Sequence, residues 1–283
     1  LILAWLYAKE RFPNPADIKE FIQAFSMPTR YNSSETRHIA RTLSEELGVG
    51  FTELSIEEAF AREEAATRAM LGNTTLDRLT LQNIQARLRG MRMWNWANAA
   101  QGLWLQSGNM SEKAVGYTTI GGDLMGGYSL IGNVPKTQVI ALLHHFHTEY
   151  KIKSLSALLK LQASAELEDN QEDERDLMPF VVLDACFDLF AGEKVMPLEL
   201  YQLLRDRWSD ADLKQMRPDY QPGMLKAWVK RFIQLFTRSI YKWVQAPQAV
   251  HLGILDLDRE RALQLPSVQA SEWLKLDELD REP

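Results

Sequence analysis

The sequence has little cysteine and no long hydrophobic run. The one cysteine among 283 residues, Cys186, lies in an apolar stretch, so an intrachain disulfide and a zinc site built from several cysteines are both excluded. We expect this residue to belong to the core and the protein to work in the reducing cytoplasm. The apolar run at residues 1–8 is too short to cross a bilayer, and it lacks the basic leader and small-residue cleavage site of a targeting signal.

The sequence also lacks an excess of positive charge. Lys and Arg total 32 against 38 Asp and Glu, which gives a formal net charge of -6. Nonspecific binding to nucleic acid depends on positive charge that neutralises phosphates. We therefore expect no nucleic acid as a partner, and from the short apolar run we expect no membrane partner.

No methionine occurs before Met27, and the apolar helix predicted at residues 1–8 has no capping residue in front of it. From these two features we expect the natural chain to extend upstream.

What is present is an alternation of strand and helix patterns. Strands are predicted at residues 24–27, 51–56 and 102–106. Helices are predicted before, between and after them at residues 16–23, 36–47, 57–71, 79–100, 137–150, 155–161, 179–191, 197–208 and 223–244. This order predicts an α/β fold with a doubly wound parallel sheet and a helical carboxyl-terminal part. Residues 166–176 hold seven acidic side chains and are expected to form an exposed loop, and the last forty residues are expected to form a loosely attached tail.

Residues 107–112 follow a predicted strand and precede a short helix. A helix amino terminus reached through a glycine turn offers free N–H groups to a phosphate. Glu112 could hold magnesium, because hard cations prefer carboxylate oxygens. The alternative is structural: Asn109 or Ser111 caps the helix, and Glu112 complements its dipole.

Seven of the 15 glycines lie between residues 107 and 132. Two Gly-Gly pairs flank Asp123, which allows a close approach of backbone to a ligand and leaves a carboxylate for sugar hydroxyls. A tight hairpin would give a similar pattern. Lys136 begins a helix after Pro135, where the dipole disfavours a cation, and this indicates an anionic group nearby.

Asn83 and Arg87 lie four residues apart on one helix and could clamp a carboxylate or phosphate, although a solvated helix face is the alternative. Two histidines of the helix at 137–150, His144 and His147, share a face. Without further ligands they are expected to be ordinary helix residues rather than a metal site. The Trp and Met side chains of the helix at 79–100 favour a core or a subunit interface.

Four motifs, taken together, resemble the synthetase domain of NAD synthetases. They are Asn83-x-x-Ala86-Arg87, then Ser107-Gly108-Asn109-x-Ser111-Glu112-x-Ala114-Val115-Gly116-Tyr117, then Gly122-Asp123-x-x-Gly126-Gly127, and Val134-Pro135-Lys136-Thr137. Weaker matches extend the resemblance to roughly residues 1–250, with residues 251–283 as a tail. The resemblance implies a fold of the adenine-nucleotide alpha-hydrolase type, as in the PP-loop ATPases.

The resemblance also implies an activity. Such an enzyme uses ATP and magnesium to adenylate deamido-NAD, and ammonia then displaces AMP to give NAD. By position, the residues implied to contact ATP are Arg30, Ser107, Lys136 and Ser164. Those implied to contact deamido-NAD are Asn83, Arg87, Glu112, Asp123 and Lys242. Glu112 is also implied to hold magnesium, Glu112 and Lys136 are the implied catalytic residues, and the acidic loop is implied to be a mobile lid.

The sequence departs from the family at several positions. The Ser-Gly-Gly-x-Asp-Ser loop that cradles pyrophosphate is absent from this chain, Ile120 stands where short members carry Lys, and Trp243 replaces an expected Arg. The spacing is more similar to the long, glutamine-dependent members, so a glutaminase domain in the same longer chain is expected. A homodimer is expected through the helices rich in Trp and Met. The alternatives are a noncatalytic relative that serves as a binding module, and another amide ligase of the same fold.

Overall fold

The computed structural model describes residues 1–169, 171–253, 255–257 and 275–281. These residues divide into two compact units. The first comprises Leu1–Trp96 and Ile140–Glu172, and the second comprises Ala97–Val139 and Asp173–Pro283. Among the described residues, no helix combines the length and the apolar character that a bilayer crossing requires.

The first unit combines helices with one pair of parallel strands. In chain order its elements are α1 (Ile2–Arg11), α2 (Pro15–Phe21), β1 (Gln23–Ser26), α3 (Ser34–Leu47), β2 (Gly50–Glu53), α4 (Glu57–Met70), most of α5 (Arg78–Ala100), the part of α7 (Lys136–Glu149) that begins at Ile140, and α8 (Leu155–Leu158). Strand β1 pairs with β2 from Gln23 opposite Gly50 to Ser26 opposite Glu53. The predicted strand–helix–strand order of this part is confirmed.

Local sequence explains where α3 begins and ends. The Ser33 side chain accepts a hydrogen bond from the Thr36 amide at 3.0 Å, and Gly48 ends the helix in a left-handed conformation with φ of 66°. The buried side chains of α1, α2 and α3 join those of α7 and α8 in one apolar cluster, whose members are Ile2, Ala8, Ile18, Ile22, Leu47, Val49, Phe146, Ile152 and Leu155.

The second unit has a short parallel pair and many helices. Its elements are β3 (Leu105–Gln106), α6 (Met110–Ala114), β4 (Tyr128–Ser129), the start of α7, α9 (Asp173–Asp176), α10 (Phe180–Phe187), a π-helical turn (Asp188–Gly192), α11 (Pro197–Arg207), α12 (Asp210–Met216), α13 (Met224–Trp243) and α14 (Glu278–Arg281). Strand β3 pairs in parallel with β4, and Ser129 forms a further parallel bridge to Ala249. Long helix α13 supplies the core, where the Phe236 ring lies 5.9 Å from that of Phe187 and 4.7 Å from that of Trp243.

The α/β class with parallel strands and a helical carboxyl-terminal part is confirmed. In the described residues the parallel sheet is present as two separate two-stranded pieces, one in each unit. The strand predicted at 102–106 is limited to two residues, and β4 was not predicted because two residues carry no readable alternation.

Two expectations for polar segments were wrong in the described residues. Within the acidic segment 166–176, Asp173 is buried and begins the short helix α9, so the segment is not simply an exposed loop. In the tail, Leu257 and Leu279 are buried, and Lys230 pairs with Asp280 at 2.7 Å. The remainder of the tail, residues 258–274, 282 and 283, lies outside the described residues, as does residue 254.

Candidate functional site

The centre of the candidate site is a pair of oppositely charged side chains in the second unit. Nζ of Lys136 lies 2.9 Å from Oε1 of Glu112. The side chains are 18% and 19% exposed, so the pair is shielded yet reachable from solvent. The predicted helix after residue 109 is confirmed: the Asn109 side chain accepts from the Glu112 amide at 3.1 Å, and Oε2 of Glu112 accepts from the Asn109 amide at 3.3 Å.

This capping box confirms the structural alternative for Asn109, and it leaves one oxygen of Glu112 for another partner. Lys136 is that partner, so the anionic group that its place at a helix amino terminus indicated is Glu112. The carboxylate of Glu112 therefore both takes part in the capping of α6 and orients the ammonium of Lys136.

A buried polar cluster lies directly behind this pair. Ser111 donates a hydrogen bond to Oδ1 of Asp184 and accepts one from the Lys136 amide at 2.7 Å. Thr137 donates to Oδ2 of Asp184 through its amide at 3.0 Å and through its hydroxyl at 2.7 Å. Burial raises the pKa of Asp184 above its ordinary value, and these hydrogen bonds and the charge of Lys136 oppose the rise.

Sequence reasoning missed Asp184. The available signal was its position in helix Phe180–Phe187, where it is the one charged residue among apolar ones. A charge in such a helix is seldom buried without a partner.

The predicted dinucleotide residue Asp123 lies in the glycine-rich loop of the same unit. Its Oδ1 accepts a hydrogen bond from the Thr119 amide at 2.7 Å, which closes the turn that contains Gly121 and Gly122. Burial raises the pKa of Asp123 to about 6, and the neighbouring charge of Glu112 adds to the rise while Lys242 opposes it. Asp123, Glu112 and Lys242 thus lie close enough to influence one another.

Helix α13 fixes the start of this loop. Nζ of Lys242 donates to the carbonyl oxygens of Gly116 and Thr118, each at 2.6 Å, and burial lowers the pKa of Lys242. Nε1 of Trp243 donates to the Lys113 carbonyl at 2.7 Å, at the end of α6. The departure from the family at Trp243 therefore has a structural reason, because the indole holds the helix that carries Glu112.

The second Gly-Gly pair approaches protein backbone. A Cβ atom on Gly126 would lie 2.6 Å from Cβ of Gln106 in β3, and the Gly126 amide donates to Oε1 of Gln106 at 3.0 Å. Gly126 therefore approaches strand β3 of the protein itself, and the close approach of these glycines to a ligand stays a prediction. Ser107 follows that strand, and its side chain is exposed.

The other predicted site residues belong to the first unit. Arg30 is exposed, and it pairs with Glu57 through its amide at 2.8 Å and its Nε at 2.7 Å. Asn83 is half-buried and Arg87 is exposed on α5. The hydroxyl of Ser164 accepts a hydrogen bond from the Glu166 amide at 3.0 Å. The structure therefore brings Glu112, Lys136 and Asp123 together with Lys242 within one unit, and Ser107 follows β3 of the same unit. The ligand contacts of the predicted site residues in both units stay predictions.

The residues around Glu112 do not fit a magnesium ion in their present arrangement. Among the described residues no group of three or more His, Cys, Asp or Glu side chains could hold a metal ion. Both oxygens of Glu112 accept N–H donors, and an ammonium in contact with one of them would repel a divalent cation. Glu112 as a magnesium ligand stays a prediction, and it requires Lys136 to move away.

Comparison with known proteins decides the family. Residues 15–208 match the model of the family described as NAD synthase. This chain is a member of the NAD synthase family. Among curated relatives, the glutamine-dependent NAD(+) synthetase of Xanthomonas campestris is 37% identical over 176 residues, which are 62% of this chain and 32% of the relative. That of Aquifex aeolicus is 29% identical over 229 residues, which are 81% of this chain and 37% of the relative.

The fold agrees with this family. The crystal structure of a glutamine-dependent NAD(+) synthetase from Cytophaga hutchinsonii superposes with a TM-score of 0.80 at 24% identity, covering 94% of this chain and 42% of that chain. This chain spans about a third of the length of the curated relatives it matches, between 32% and 37% for the two named here.

Proposed function

We propose that this chain is the part of an NAD synthetase that adenylates deamido-NAD with ATP and then converts the adenylate to NAD with ammonia. The observation that carries the proposal is the grouping of Glu112, Lys136, Asp123 and Lys242 in the second unit of a chain that belongs to the NAD synthase family. The relatives named as glutamine-dependent support glutamine as the source of ammonia.

The first step joins two anions. An oxygen of the nicotinate carboxylate attacks the α-phosphorus of ATP, the bond to pyrophosphate breaks, and an acyl-adenylate forms. Positive charge is needed at the phosphates to offset the repulsion. Lys136 supplies an ammonium at the candidate site, and the ion pair with Glu112 orients the Lys136 side chain.

The second step replaces AMP by nitrogen. Ammonia attacks the acyl carbon, the bond to AMP breaks, and the nitrogen loses a proton to give the amide. Asp123 is suited to accept that proton, because a carboxylate with a pKa of about 6 is mostly ionised near neutral pH yet still basic. ATP commonly carries magnesium, and Glu112 as a ligand of that ion stays a prediction.

The test uses the complete natural chain with ATP, magnesium ions, deamido-NAD and either ammonia or glutamine, with NAD and AMP measured by chromatography. We expect both products to form. Glu112→Ala should abolish AMP formation, whereas Glu199→Ala, a change at an exposed residue in the first turn of α11, should leave it unchanged. Absence of NAD with the unaltered chain would favour a noncatalytic relative, and full activity of Glu112→Ala would remove Glu112 from the site.

A further inference from the structure

Asp184 is a buried acid to which neither proposed step gives a role. It lies in helix α10, which is otherwise apolar, and it is 7% exposed. An ionised carboxylate in such surroundings is costly unless hydrogen bonds and charge compensate for the lost water. The compensation comes from Ser111 and Thr137, which flank the Glu112–Lys136 pair in sequence.

Asp184 and Ser111 together cap the amino terminus of α7. The first N–H groups of a helix have no partner within the helix. Here the Lys136 amide donates to Ser111 at 2.7 Å, and the Thr137 amide donates to Asp184 at 3.0 Å. A carboxylate at this end of a 14-residue helix is also favoured by the helix dipole. The backbone that carries the Lys136 side chain is thus fixed from outside its own helix.

The side chain of Lys136 is held by the same helix that provides Asp184. Nζ of Lys136 lies 5.1 Å from the centre of the Phe180 ring, and Phe180 precedes Asp184 by one turn of α10. Residues four apart on a helix share a face. One face of α10 therefore contacts both the backbone amide that follows Lys136 and the ammonium that faces Glu112.

We propose that Asp184 is a positioning residue, which acts with Ser111 and Thr137 to hold the ammonium of Lys136 where the phosphates of ATP bind. The proposal rests on the proposed function in that ATP is the ligand. Asp184 contributes to ATP binding only through Lys136. A residue that merely stabilised the fold would contribute whether or not Lys136 is present.

A double-mutant cycle tests this path. In the complete natural chain, Thr137→Val removes one hydrogen bond to Asp184 and preserves the shape of the side chain, which makes it a milder change than Asp184→Asn. We expect Thr137→Val to weaken ATP binding, measured by titration calorimetry with ATP, about tenfold. With Lys136→Met already present, the same change should weaken binding by less than about twofold. Thr137→Ser keeps the hydroxyl and should bind like the unaltered chain.

The control is Thr237→Val in α13, where a hydroxyl that is also buried donates to the Ile233 carbonyl at 2.9 Å. This change should lower thermal stability without altering ATP affinity. Equal weakening by Thr137→Val with and without Lys136→Met would overturn the proposal.

A second measurement needs no nucleotide, so it separates this proposal from the proposed function. If the unaltered chain binds no ATP, the proposed function is refuted. Labelling of lysines by an amine reagent would still test whether Asp184 positions Lys136. Mass spectrometry should show Lys136 labelled about tenfold faster in Thr137→Val and in Asp184→Asn, relative to Lys230 in the same sample. An unchanged rate at Lys136 would refute the positioning role.

Discussion

Lys136 and Glu112 form their 2.9 Å ion pair from the first turns of two different helices, α7 and α6. A carboxylate is favoured at such an end and an ammonium is disfavoured. Glu112 therefore compensates for an unfavourable placement of Lys136, and it does so while its other oxygen completes the capping box with Asn109. The charge of Lys136 is held in place by a group that an anionic ligand could replace.

The contribution of the Lys136–Glu112 ion pair can be measured as a change in the free energy of unfolding. Lys136→Met should lower the free energy of unfolding in urea by about 1–2 kcal/mol, because Glu112 loses a charged donor in a shielded position. Lys230→Met breaks the more exposed pair with Asp280 and should cost less than about 1 kcal/mol. Adding Glu112→Gln to Lys136→Met should cost little more, since the partner is already gone. Equal costs for the two lysine changes would contradict the shielding of the site.

Much of the second unit's site was predictable from sequence, because its residues lie close together along the chain. Glu112 and Lys136 were marked by their places at helix starts, and Asp123 was marked by the glycines around it. The sequence offered Asn109 and Ser111 as alternative caps of this helix, and the structure shows Asn109 in that role. Local rules suffice where the interacting groups are separated by a few residues.

The remaining features depend on tertiary contacts. The hydrogen bonds of Asp184 to Ser111 and Thr137 join residues 73 and 47 positions apart, and no local pattern reports such a pairing. Lys242 reaches across 126 residues to Gly116. The resemblance marked Lys242 as a dinucleotide contact, whereas its hydrogen bonds show that it fixes the loop backbone.

The raised pKa of Asp123 makes stability depend on pH. The folded chain holds this proton more tightly than the unfolded chain, so the stabilisation is complete below the unfolded pKa and is lost as the pH rises through about 6. Asp123→Asn removes this loss. Relative to the unaltered chain, the variant should gain up to about 3 kcal/mol in urea unfolding between about pH 4 and about pH 8.

A control for this pH dependence is Asp212→Asn in the same unit. Hydrogen bonds from Ser209 lower the pKa of Asp212, so its stabilisation is present above the unfolded pKa and is lost only in more acidic solution. This variant should show no gain over the same range. A pH-independent difference for Asp123→Asn would show that the carboxyl of Asp123 is not protonated near pH 6.

Removing the Lys242 ammonium should loosen the loop that carries Asp123. Lys242→Met deletes two hydrogen bonds from a charged donor and should cost about 2–3 kcal/mol of unfolding free energy. Hydrogen exchange of the amides at residues 117–124, followed by mass spectrometry, should become faster. Lys214→Met, a change in the last turn of α12, is the control, and equal exchange in the two variants would refute the anchoring role of Lys242.

Gly116 tests how closely that loop must pack on α13. It has a φ of 66°, and a Cβ atom at this position would lie 2.8 Å from Cβ of Ser239 and also overlap its hydroxyl. Gly116→Ala should therefore cost about 1 kcal/mol for the left-handed backbone and about 1–3 kcal/mol more for overpacking.

Gly48 separates the two contributions, because it has the same φ of 66° and an added methyl group there would meet no atom within 4 Å. Gly48→Ala should cost only about 1 kcal/mol. Adding Ser239→Gly to Gly116→Ala removes the steric conflict while leaving the backbone strain, and the Ser239→Gly single variant measures the separate cost of glycine within α13. The Gly116→Ala cost should therefore be smaller in the Ser239→Gly background than in the unaltered chain. If the cost is the same in both backgrounds, the loop can move away from α13, and the hydrogen bonds of Lys242 alone would hold it.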